Sequence, residues 1–378
     1  MRILWIPHTG WHIPQRAHQF CLALAERHEI HVTDLIADFR RPGDYLSLRY
    51  LRNFTYRRRR AGPITVHGVP RISPAIYSRV LRRMNERLFS ALVRWLIARY
   101  RIEVVVGTFV VAPPKAPRLI FDLFDDNVAY WRSYGQNMAY ADEIAATEQA
   151  YLAQADAVVA STSVLAERAR HAGAHGPIYQ IPNGVATESY AQASGARLRA
   201  TLAGGKPLVG MLGNHDREAE LAKVLDAAAA LGSDGPRFVI AGRGEALGPA
   251  RLRVARDGLS HVRFLGYIPP DEAPALIAAL DVGLCPYRKT VGADASSPMR
   301  LLMYAAAGVP TVCTDLEEVR RMAFSNVVLV DDTSAALAEG IRQALCLPRR
   351  PPAAIANYDL PKLITRYEQV LAGDDYVE

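Results

Sequence analysis

Residues 297–310 read Ser-Pro-Met-Arg-Leu-Leu-Met-Tyr-Ala-Ala-Ala-Gly-Val-Pro, and they carry the most information about the fold. Ser297 is a favourable N-cap, Pro298 suits the first position of a helix, and Gly308 favours its end. Arg300 then lies in the first turn, where free N–H groups and the helix dipole disfavour a cation unless an anion joins it. A bound diphosphate would remove that conflict. The alternative is an ordinary buried helix with a solvated arginine.

Around this stretch, short apolar runs alternate with helical patterns, which favours parallel α/β units. The predicted strands are 2–6, 29–33, 104–107, 119–122, 157–161, 179–181, 207–212, 238–241, 262–265, 282–285 and 327–330, with helices that include 15–27, 142–154, 218–231 and 360–371. The order of strand, glycine turn and helix occurs at the start of the chain and again from residue 207. Such a turn directs backbone N–H groups towards an anion.

The sequence predicts two α/β domains. A length of 378 residues exceeds one ordinary core at about 150 residues per domain. Pro182-Asn183-Gly184 is a strongly turn-forming sequence, and the Ala-, Ser- and Gly-rich stretch 187–205 suits a linker. We therefore expect one domain over 1–185 and another over 186–359. The last segment, 360–378, is predicted to complete the first domain, or to be a simple C-terminal cap.

Composition narrows the class of protein. Half the residues are apolar and 22% are charged, as in globular proteins, and no uncharged apolar run approaches the roughly 18 residues of a membrane span. The apolar run 3–6 is too short for a signal peptide. The four cysteines lack metal-type spacing, so we expect reduced thiols, no metal site and a cytoplasmic location.

Charge is distributed unevenly along the chain. Residues 1–120 contain 21 Lys and Arg against 7 Asp and Glu, a formal charge of +14, whereas the remainder carries −7. A basic N-terminal half favours a polyanionic partner, either an anionic membrane surface or nucleic acid. No nucleic-acid motif is recognised, so we expect no nucleic-acid partner.

The stretch 297–310 resembles the donor-binding helix of GT4-type glycosyltransferases, which have Pro-x-Lys/Arg-Leu, a small-residue run and Gly-x-Pro. Four further segments follow that family's order: Pro-Asn-Gly-Val at 182–185, Phe-Val-Ile-Ala-Gly-Arg-Gly at 238–244, Val-Arg-Phe-Leu-Gly-Tyr at 262–267 and Asp-Val-Gly-Leu-Cys-Pro-Tyr at 281–287. The resemblance implies the GT-B fold, an α/β architecture with two Rossmann-like domains facing each other across a cleft. It implies a nucleotide-sugar donor in the second domain and an acceptor in the first.

The resemblance also assigns the donor contacts, with Arg300 acting catalytically on the leaving diphosphate. The implied donor-binding residues are Gly10, Gly213, Arg243, Tyr267, Tyr287, Ser297, Pro298, Met299, Arg300, Leu301 and Met303. Typical members carry a ribose-binding Glu where this chain has Met303, and a second Glu near Asp294 or Ala295. The basic pair of the first glycine turn is also missing, and only Arg217 could replace it. A residue other than Glu at 303 resembles the xanthan-type glucuronosyltransferases, which invert the sugar, so retention and inversion both stay open.

Residues 121–127, Phe-Asp-Leu-Phe-Asp-Asp-Asn, follow a predicted strand, so the acids lie at the usual mouth of an α/β site. An inverting transferase needs one carboxylate to take the proton of the acceptor hydroxyl. Asp126 is the first candidate for this base and Asp125 the second. Alternatives are a metal-binding Asp pair, or helix capping by Asp125 and Asn127.

The loop 7–16 joins the first strand to a helix, and Gly10 permits a tight turn there. In the resembled family this loop borders donor and acceptor. His12 is therefore a candidate contact to a sugar and Arg16 to an acceptor phosphate. A histidine in a loop is also commonly a plain surface residue.

Two basic segments could dock on an anionic bilayer. Residues 49–60 mix aromatic side chains with cations, and a predicted helix over 79–101 carries several arginines. Its apolar residues recur at helical spacing and predict a buried face: Leu81, Met84, Leu88, Leu92 and Trp95. The plain interpretation is a core helix with a solvated basic side.

The sequence thus predicts a metal-independent glycosyltransferase without cofactor. It would move a sugar from a UDP- or GDP-sugar to a lipid-linked or saccharide acceptor in bacterial-type surface glycan synthesis, in the cytoplasm or on the inner face of the membrane. One alternative is a sugar-nucleotide 2-epimerase on the same fold. Another is a non-catalytic scaffold of the same architecture, which the missing Glu at position 303 favours.

Overall fold

The computed structural model describes residues 1–11, 15–35, 54–72, 78–133, 138–216 and 218–374. The chain divides into two compact units. Unit 1 comprises Met1–Pro182 together with the segment from Ile364 onward, and unit 2 comprises Asn183–Leu363. The two crossings between units therefore fall at the Pro-Asn-Gly turn and inside the last helix.

Unit 1 is built on an eight-stranded sheet in the order β3-β4-β2-β1-β5-β6-β7-β8. Only β3 runs antiparallel to its neighbour, β4. The strands are β1 (Arg2–Trp5), β2 (Glu29–Leu35), β3 (Arg57–Ala61), β4 (Ile64–Val69), β5 (Val104–Gly107), β6 (Leu119–Leu123), β7 (Ala157–Ala160) and β8 (Ile178–Gln180). The helices are α1 (Arg16–Leu24), α2 (Arg79–Tyr100), α3 (Asn127–Ser133), α4 (Met138–Gln154) and α5 (Ser163–His171).

Unit 2 contains a six-stranded, fully parallel sheet in the order β11-β10-β9-β12-β13-β14. Its strands are β9 (Leu208–Asn214), β10 (Arg237–Arg243), β11 (Val262–Gly266), β12 (Val282–Cys285), β13 (Thr311–Thr314) and β14 (Val327–Val330). Its helices are α6 (Thr187–Ala191), α7 (Ala196–Leu202), α8 (Leu221–Leu231), α9 (Leu247–Arg256), α10 (Ala273–Ala279), α11 (Val291–Asp294), α12 (Met299–Ala306), α13 (Glu317–Met322) and α14 (Ser334–Leu345), followed by a 3-10 helix (Ala353–Tyr358).

The last helix, α15 (Leu360–Ala372), supplies core side chains to unit 1. Tyr367 is fully buried, stacks on Trp5 at 5.3 Å between ring centroids and meets Phe20 edge-on at 5.2 Å. Arg118 donates to the Val370 carbonyl at 2.9 Å. A short terminal segment thus fills a gap that the first 182 residues leave open.

Each sheet has buried strands because both faces are covered by helices, and β1, β5, β7, β12 and β13 consist largely or wholly of buried residues. In unit 2, helix α12 contributes side chains to two hydrophobic clusters. In the described part of the chain, no helix is both long enough and apolar enough to cross a bilayer.

Three strands were not predicted from the sequence: β3, β4 and β13. Four consecutive exposed arginines, 57–60, form most of β3, so its pattern lacks the apolar alternation by which a strand is recognised. Strands β3 and β4 lie at one edge of the first sheet, and β13 lies between β12 and β14 in the second. The remaining strands were predicted within one or two residues.

The predicted buried face of helix α2 is wrong at three positions. Met84, Leu88 and Trp95 are 44–48% exposed, and the residues that enter the core are Phe89, Val93 and Leu96. Helical periodicity identifies apolar stripes, but α2 carries two of them. Which stripe packs on the sheet depends on the tertiary structure.

Candidate functional site

Unit 2 has the strand order of a doubly wound sheet, with a switch point between its two central strands, β9 and β12. Ligands of such sheets bind beyond the carboxyl ends of the strands at this point. Strand β9 ends in Gly213-Asn214, and β12 leads into Pro286-Tyr287. The candidate site therefore lies at these two strand ends, within unit 2.

Glycines make the first wall of the site. Gly213 and Gly242 are paired in the β9–β10 register, and both have positive φ, +120° and +134°. A Cβ on Gly242 would lie 1.8 Å from the Gly213 carbonyl oxygen, and one on Gly244 would lie 2.2 Å from the His215 carbonyl oxygen. The backbone turns after β9 and β10 are thus in direct contact. The predicted donor residue Gly213 lies at an exposed part of this wall, where a Cβ would be 3.5 Å from the Arg300 guanidinium.

Helix α12 begins one residue later than predicted. Pro298 has a non-helical ψ of 118° and occupies the N-cap position, and Met299 is the first helical residue. Ser297 therefore does not cap the helix, and its buried Oγ has no hydrogen-bond partner. The Ser297 carbonyl accepts a bond from Asn183 at 2.9 Å, which orients the backbone entering the helix. The predicted capping role of Ser297 is wrong, because the proline shifts the helix start.

Arg300 occupies the second position of α12 and is only 7% exposed. Its Nη2 donates to the Asn214 carbonyl at 2.8 Å, and its guanidinium lies 5.7 Å from the centre of the Tyr287 ring. Its Nη1 is buried without a hydrogen-bond partner. No carboxylate of the described residues forms an ion pair with it. Burying an unpaired charge is costly, so this arrangement favours an anionic ligand.

His215 is a second buried polar group at the end of β9, and the sequence reasoning passed over it. Its Nε2 donates to the Ala241 carbonyl at 2.9 Å, and burial lowers its pKa to about 4, so the ring is neutral at pH 7. Its Nδ1 is then an acceptor, buried and without a partner. The signal that could have identified it is its position two residues after the turn glycine.

The other predicted donor residues on α12 have different surroundings. Leu301 is fully buried in one hydrophobic cluster of unit 2, so its side chain packs in the core. Met299 packs on the same cluster, and Met303 packs between this cluster and a second one. The Met303 side chain thus packs against the core of unit 2. Tyr287 is fixed by reciprocal 2.9 Å bonds between its backbone and Thr314.

Arg243 and Tyr267 lie together on the exposed side of unit 2. The guanidinium of Arg243 is 5.5 Å from the centre of the Tyr267 ring, and Tyr267 is 55% exposed. This pair offers a flat aromatic surface and a cation at the end of β10. Arg217, the other basic candidate near this turn, lies outside the described residues.

Asp294 and Ala295 are the two positions at which the resemblance implies a second acid, and neither provides one to the site. Ala295 is buried, and the Asp294 carboxylate accepts a bond from the Glu317 backbone N–H at 3.0 Å. Asp294 therefore serves the start of helix α13. Neither position therefore supplies an acid to the site, and the carboxylate that acts electrostatically on Arg300 is that of Asp216, just after β9.

In unit 1 the predicted base Asp126 is bound by other groups. It is 7% exposed, it accepts a bond from the Ala129 N–H at 2.9 Å at the start of α3, and it forms an ion pair with Arg168. Arg168 also contacts Glu148 at 2.9 Å, and burial raises the pKa of that carboxyl to about 7. Asp126 thus caps the start of α3, and Asp125 is exposed.

Arg16 is part of the interior of unit 1. It is 7% exposed and donates to Asp122 at 3.2 Å and to the carbonyls of Pro182 and Ile181 at 2.7 and 2.8 Å. These contacts oppose the predicted binding of an acceptor phosphate, because the guanidinium faces protein oxygens. Gly10 is buried. His12 lies outside the described residues.

His8 is a further residue that sequence reasoning missed. It follows β1 at the switch point of the first sheet, between β1 and β5, and stacks on Phe124 at 4.2 Å. Burial lowers its pKa to about 4, so it is a neutral imidazole beside the Asp125-Asp126 turn. The carboxyl-end rule for α/β sheets could have singled it out.

Comparison with known proteins supports a specific class of enzyme. Residues 206–346 match the family described as "Glycosyl transferases group 1". Residues 206–346 thus resemble a glycosyltransferase domain. The match covers most of unit 2, including both glycine turns and helix α12. No curated protein sequence matches the chain.

Solved structures extend the similarity to both units. Sucrose-phosphate synthase from Thermosynechococcus elongatus superposes with a TM-score of 0.75 at 14% identity, covering 99% of this chain and 100% of that one. HepE from Anabaena, in complex with UDP and glucose, gives 0.67 at 15% identity over 98% and 99% of the two chains. WaaG, a glycosyltransferase involved in lipopolysaccharide biosynthesis, gives 0.66 at 16% identity over 98% and 100%. The predicted GT-B fold, with two parallel-sheet domains, is thereby confirmed.

Proposed function

We propose that unit 2 binds the diphosphate of a nucleotide sugar, UDP- or GDP-linked, at the start of helix α12. The observation that carries this proposal is Arg300, a buried guanidinium with one free N–H group and no carboxylate partner among the described residues. The first N–H groups of α12 and the positive end of its dipole add to the same anion site. Structural neighbours include proteins solved with UDP and with a fluorinated UDP-glucose.

Chemistry at this site would use protein groups alone. When the bond between sugar and diphosphate breaks, negative charge develops on the leaving phosphate, and Arg300 with the helix N-terminus would stabilise it. This replaces the role that a divalent cation has in other transferases, so we propose an enzyme without metal or other cofactor. Ribose recognition would not involve a Glu at position 303, because the Met303 thioether is only a weak hydrogen-bond acceptor.

We assign acceptor binding to unit 1. An acceptor hydroxyl needs a proton acceptor if the reaction inverts the sugar. Asp125 and Asp126 stay the candidates, and the geometry favours Asp125, because Asp126 is buried in an ion pair with Arg168. Binding of His12 to the acceptor remains part of this proposal.

The acceptor itself is proposed to be a saccharide, carried on a lipid, in surface glycan synthesis at the cytoplasmic face of the membrane. The support is the formal charge of +14 over residues 1–120, which would attract both a lipid diphosphate and an anionic bilayer. Within the class we propose a GT4-like enzyme with some similarity to xanthan-type glucuronosyltransferases, based on Met303. The anomeric configuration of the product separates these two: inversion supports the xanthan-type assignment, and retention supports the typical GT4 one.

Nucleotide binding can be tested by thermal shift. Purified full-length protein is heated with UDP, GDP, ADP and their sugar conjugates, and binding at 100 times Kd adds about 2.7 kcal/mol to the stability of the binding unit. One nucleotide should stabilise the protein well above the rest. If none does, the donor assignment is wrong and the scaffold alternative is favoured. Incubation of the stabilising sugar nucleotide without any acceptor completes the test, because an epimerised product would identify a 2-epimerase.

A further inference from the structure

Helix α2 presents a second apolar stripe to solvent. Val80, Met84, Leu88 and Trp95 are 68%, 44%, 48% and 46% exposed. At about 100° per residue they lie within an arc of roughly 80°. The buried stripe of Phe89, Val93 and Leu96 occupies the opposite side of the helix. The exposed stripe is therefore a continuous face, not a scatter of single residues.

The inner side of α2 is firmly attached to unit 1, so the exposed stripe is held in place. Arg82 contacts Glu143 of helix α4 through Nε at 2.7 Å and Nη2 at 2.9 Å. Asn85 both accepts from the Ile72 N–H at 2.7 Å and donates to the Ile72 carbonyl at 2.8 Å. Rotation of the helix about its axis would break these bonds. The outer stripe therefore stays exposed, and at its C-terminal end Trp95 contacts the rings of Tyr56 and Tyr100.

Arginines border the stripe along its length. Arg83, Arg87 and Arg94 are exposed, and on a helix they lie together on one flank of the apolar arc. None of the three forms an ion pair with a carboxylate of the described chain. At the C-terminal end of α2, Trp95 meets Tyr56 edge-on at 5.3 Å, and the exposed arginines of β3 follow Tyr56 directly. Cations thus lie beside the apolar face and at one end of it.

We propose that the outer face of α2, formed by Val80, Met84, Leu88 and Trp95 with Arg83, Arg87 and Arg94, inserts into the headgroup region of an anionic lipid bilayer. A helix lying in the membrane plane needs an apolar stripe flanked by basic residues, with an interfacial tryptophan. The idea that the enzyme meets its acceptor at the membrane rests on the proposed function. Binding of α2 to the bilayer does not require that function.

The test measures binding of the full-length protein to vesicles of phosphatidylglycerol with phosphatidylcholine, and to vesicles of phosphatidylcholine alone. The wild type should sediment with the anionic vesicles only, and Trp95 fluorescence should be quenched by lipids brominated in their acyl chains. The triple variant R83Q/R87Q/R94Q should bind about 100-fold more weakly, at about fivefold for each cation lost. The variant L88S/W95S should lose the quenching that comes from Trp95.

Matched controls are Leu252→Ser and Arg256→Gln, at exposed apolar and basic residues of helix α9 in unit 2. They should bind vesicles like the wild type, and far-UV circular dichroism should show that all variants are folded. Equal vesicle binding by the α2 variants, or no binding by the wild type, would refute the proposal. A wild-type dimer that L88S/W95S converts to a monomer would also refute it, because the face would then bind a second copy.

The nucleotide thermal shift separates this proposal from the proposed function. The α2 variants should keep the wild-type response to the stabilising nucleotide, because α2 belongs to unit 1 and the donor residues to unit 2. A protein that binds anionic vesicles without responding to any nucleotide would support the docking face and overturn the donor assignment. A protein that responds to a nucleotide without binding anionic vesicles would support the donor assignment and overturn the docking face.

Discussion

Replacing Arg300 by Met should weaken nucleotide binding with little cost to the folded protein. Methionine is uncharged and can follow the aliphatic part of the arginine side chain beside Tyr287, although it is shorter. The substitution loses the Nη2 bond to the Asn214 carbonyl, which contributes about 1.5–3 kcal/mol, and a cation–π contact of about 0.5–2 kcal/mol. It also removes a buried, unpaired charge, whose cost is about 3–5 kcal/mol.

These contributions nearly cancel, so the stability of the protein without ligand should change by less than about 2 kcal/mol. For a unit of this size each kcal/mol corresponds to about 2–4 °C in Tm. Nucleotide binding has no such compensation. Loss of the charge-assisted bond from the free Nη1 to phosphate, about 1.5–3 kcal/mol, should raise Kd roughly 10- to 150-fold.

Calorimetry of the protein alone and isothermal titration with the stabilising nucleotide measure both quantities. Arg349→Met is the matched control, because Arg349 also donates to a backbone carbonyl, that of Leu280 at 2.7 Å, but is exposed. It should leave Kd unchanged. Unaltered nucleotide affinity in Arg300→Met would refute the role of Arg300. A fall in Tm as large as that of a core truncation would show instead that Arg300 is a structural residue.

Three further predictions concern stability. Glu148→Gln should flatten the pH dependence of unfolding. Burial raises the pKa of this carboxyl from 4.5 to about 7, so between these values the folded state holds a proton that the unfolded chain has released, and stability falls as pH rises. In urea titrations at pH 8, the Gln variant should therefore be more stable than the wild type by roughly 1–3 kcal/mol. Gly242→Ala should destabilise unit 2 by about 2–4 kcal/mol in the same assay, because its Cβ would lie 1.8 Å from the Gly213 carbonyl oxygen, whereas Gly248→Ala, with no atom within 4 Å, should not. Tyr367→Ala should destabilise unit 1 by about 3–5 kcal/mol, and Tyr367→Phe should not, because the buried hydroxyl has no partner; equal losses in both would contradict this packing role.

The central strands and their glycine turns were predictable because both signals are local. A run such as 104–107 must be buried on both faces, and φ near +120° at Gly213 is accessible mainly to glycine. The position of Arg300 in a first helical turn follows from the neighbouring Pro298 in the same way. The edge strand β3 was not predictable, since four exposed arginines have no apolar periodicity.

Side-chain partners were the part of the candidate sites that sequence could not supply. Arg16 and Arg300 are both arginines near the start of a helix, and a ligand-binding role was predicted for both. In the tertiary structure Arg16 forms an ion pair with Asp122, 106 residues away, whereas Arg300 donates a hydrogen bond to the neutral Asn214 carbonyl. Asp126 likewise became part of an ion pair through Arg168. Contacts between distant segments decide which charge remains available to a ligand.

By itself the sequence determined that this protein has two α/β halves, a basic first part and a donor-type helix with a methionine in place of an acid. These are properties of composition, spacing and local backbone preference, which persist whatever the chain packs against. The tertiary structure alone decided that Arg300 is buried without a carboxylate among the described residues, and that α2 turns Phe89 inward and Trp95 outward. Both outcomes depend on the atoms that surround a side chain, and those atoms come from parts of the chain far apart in sequence.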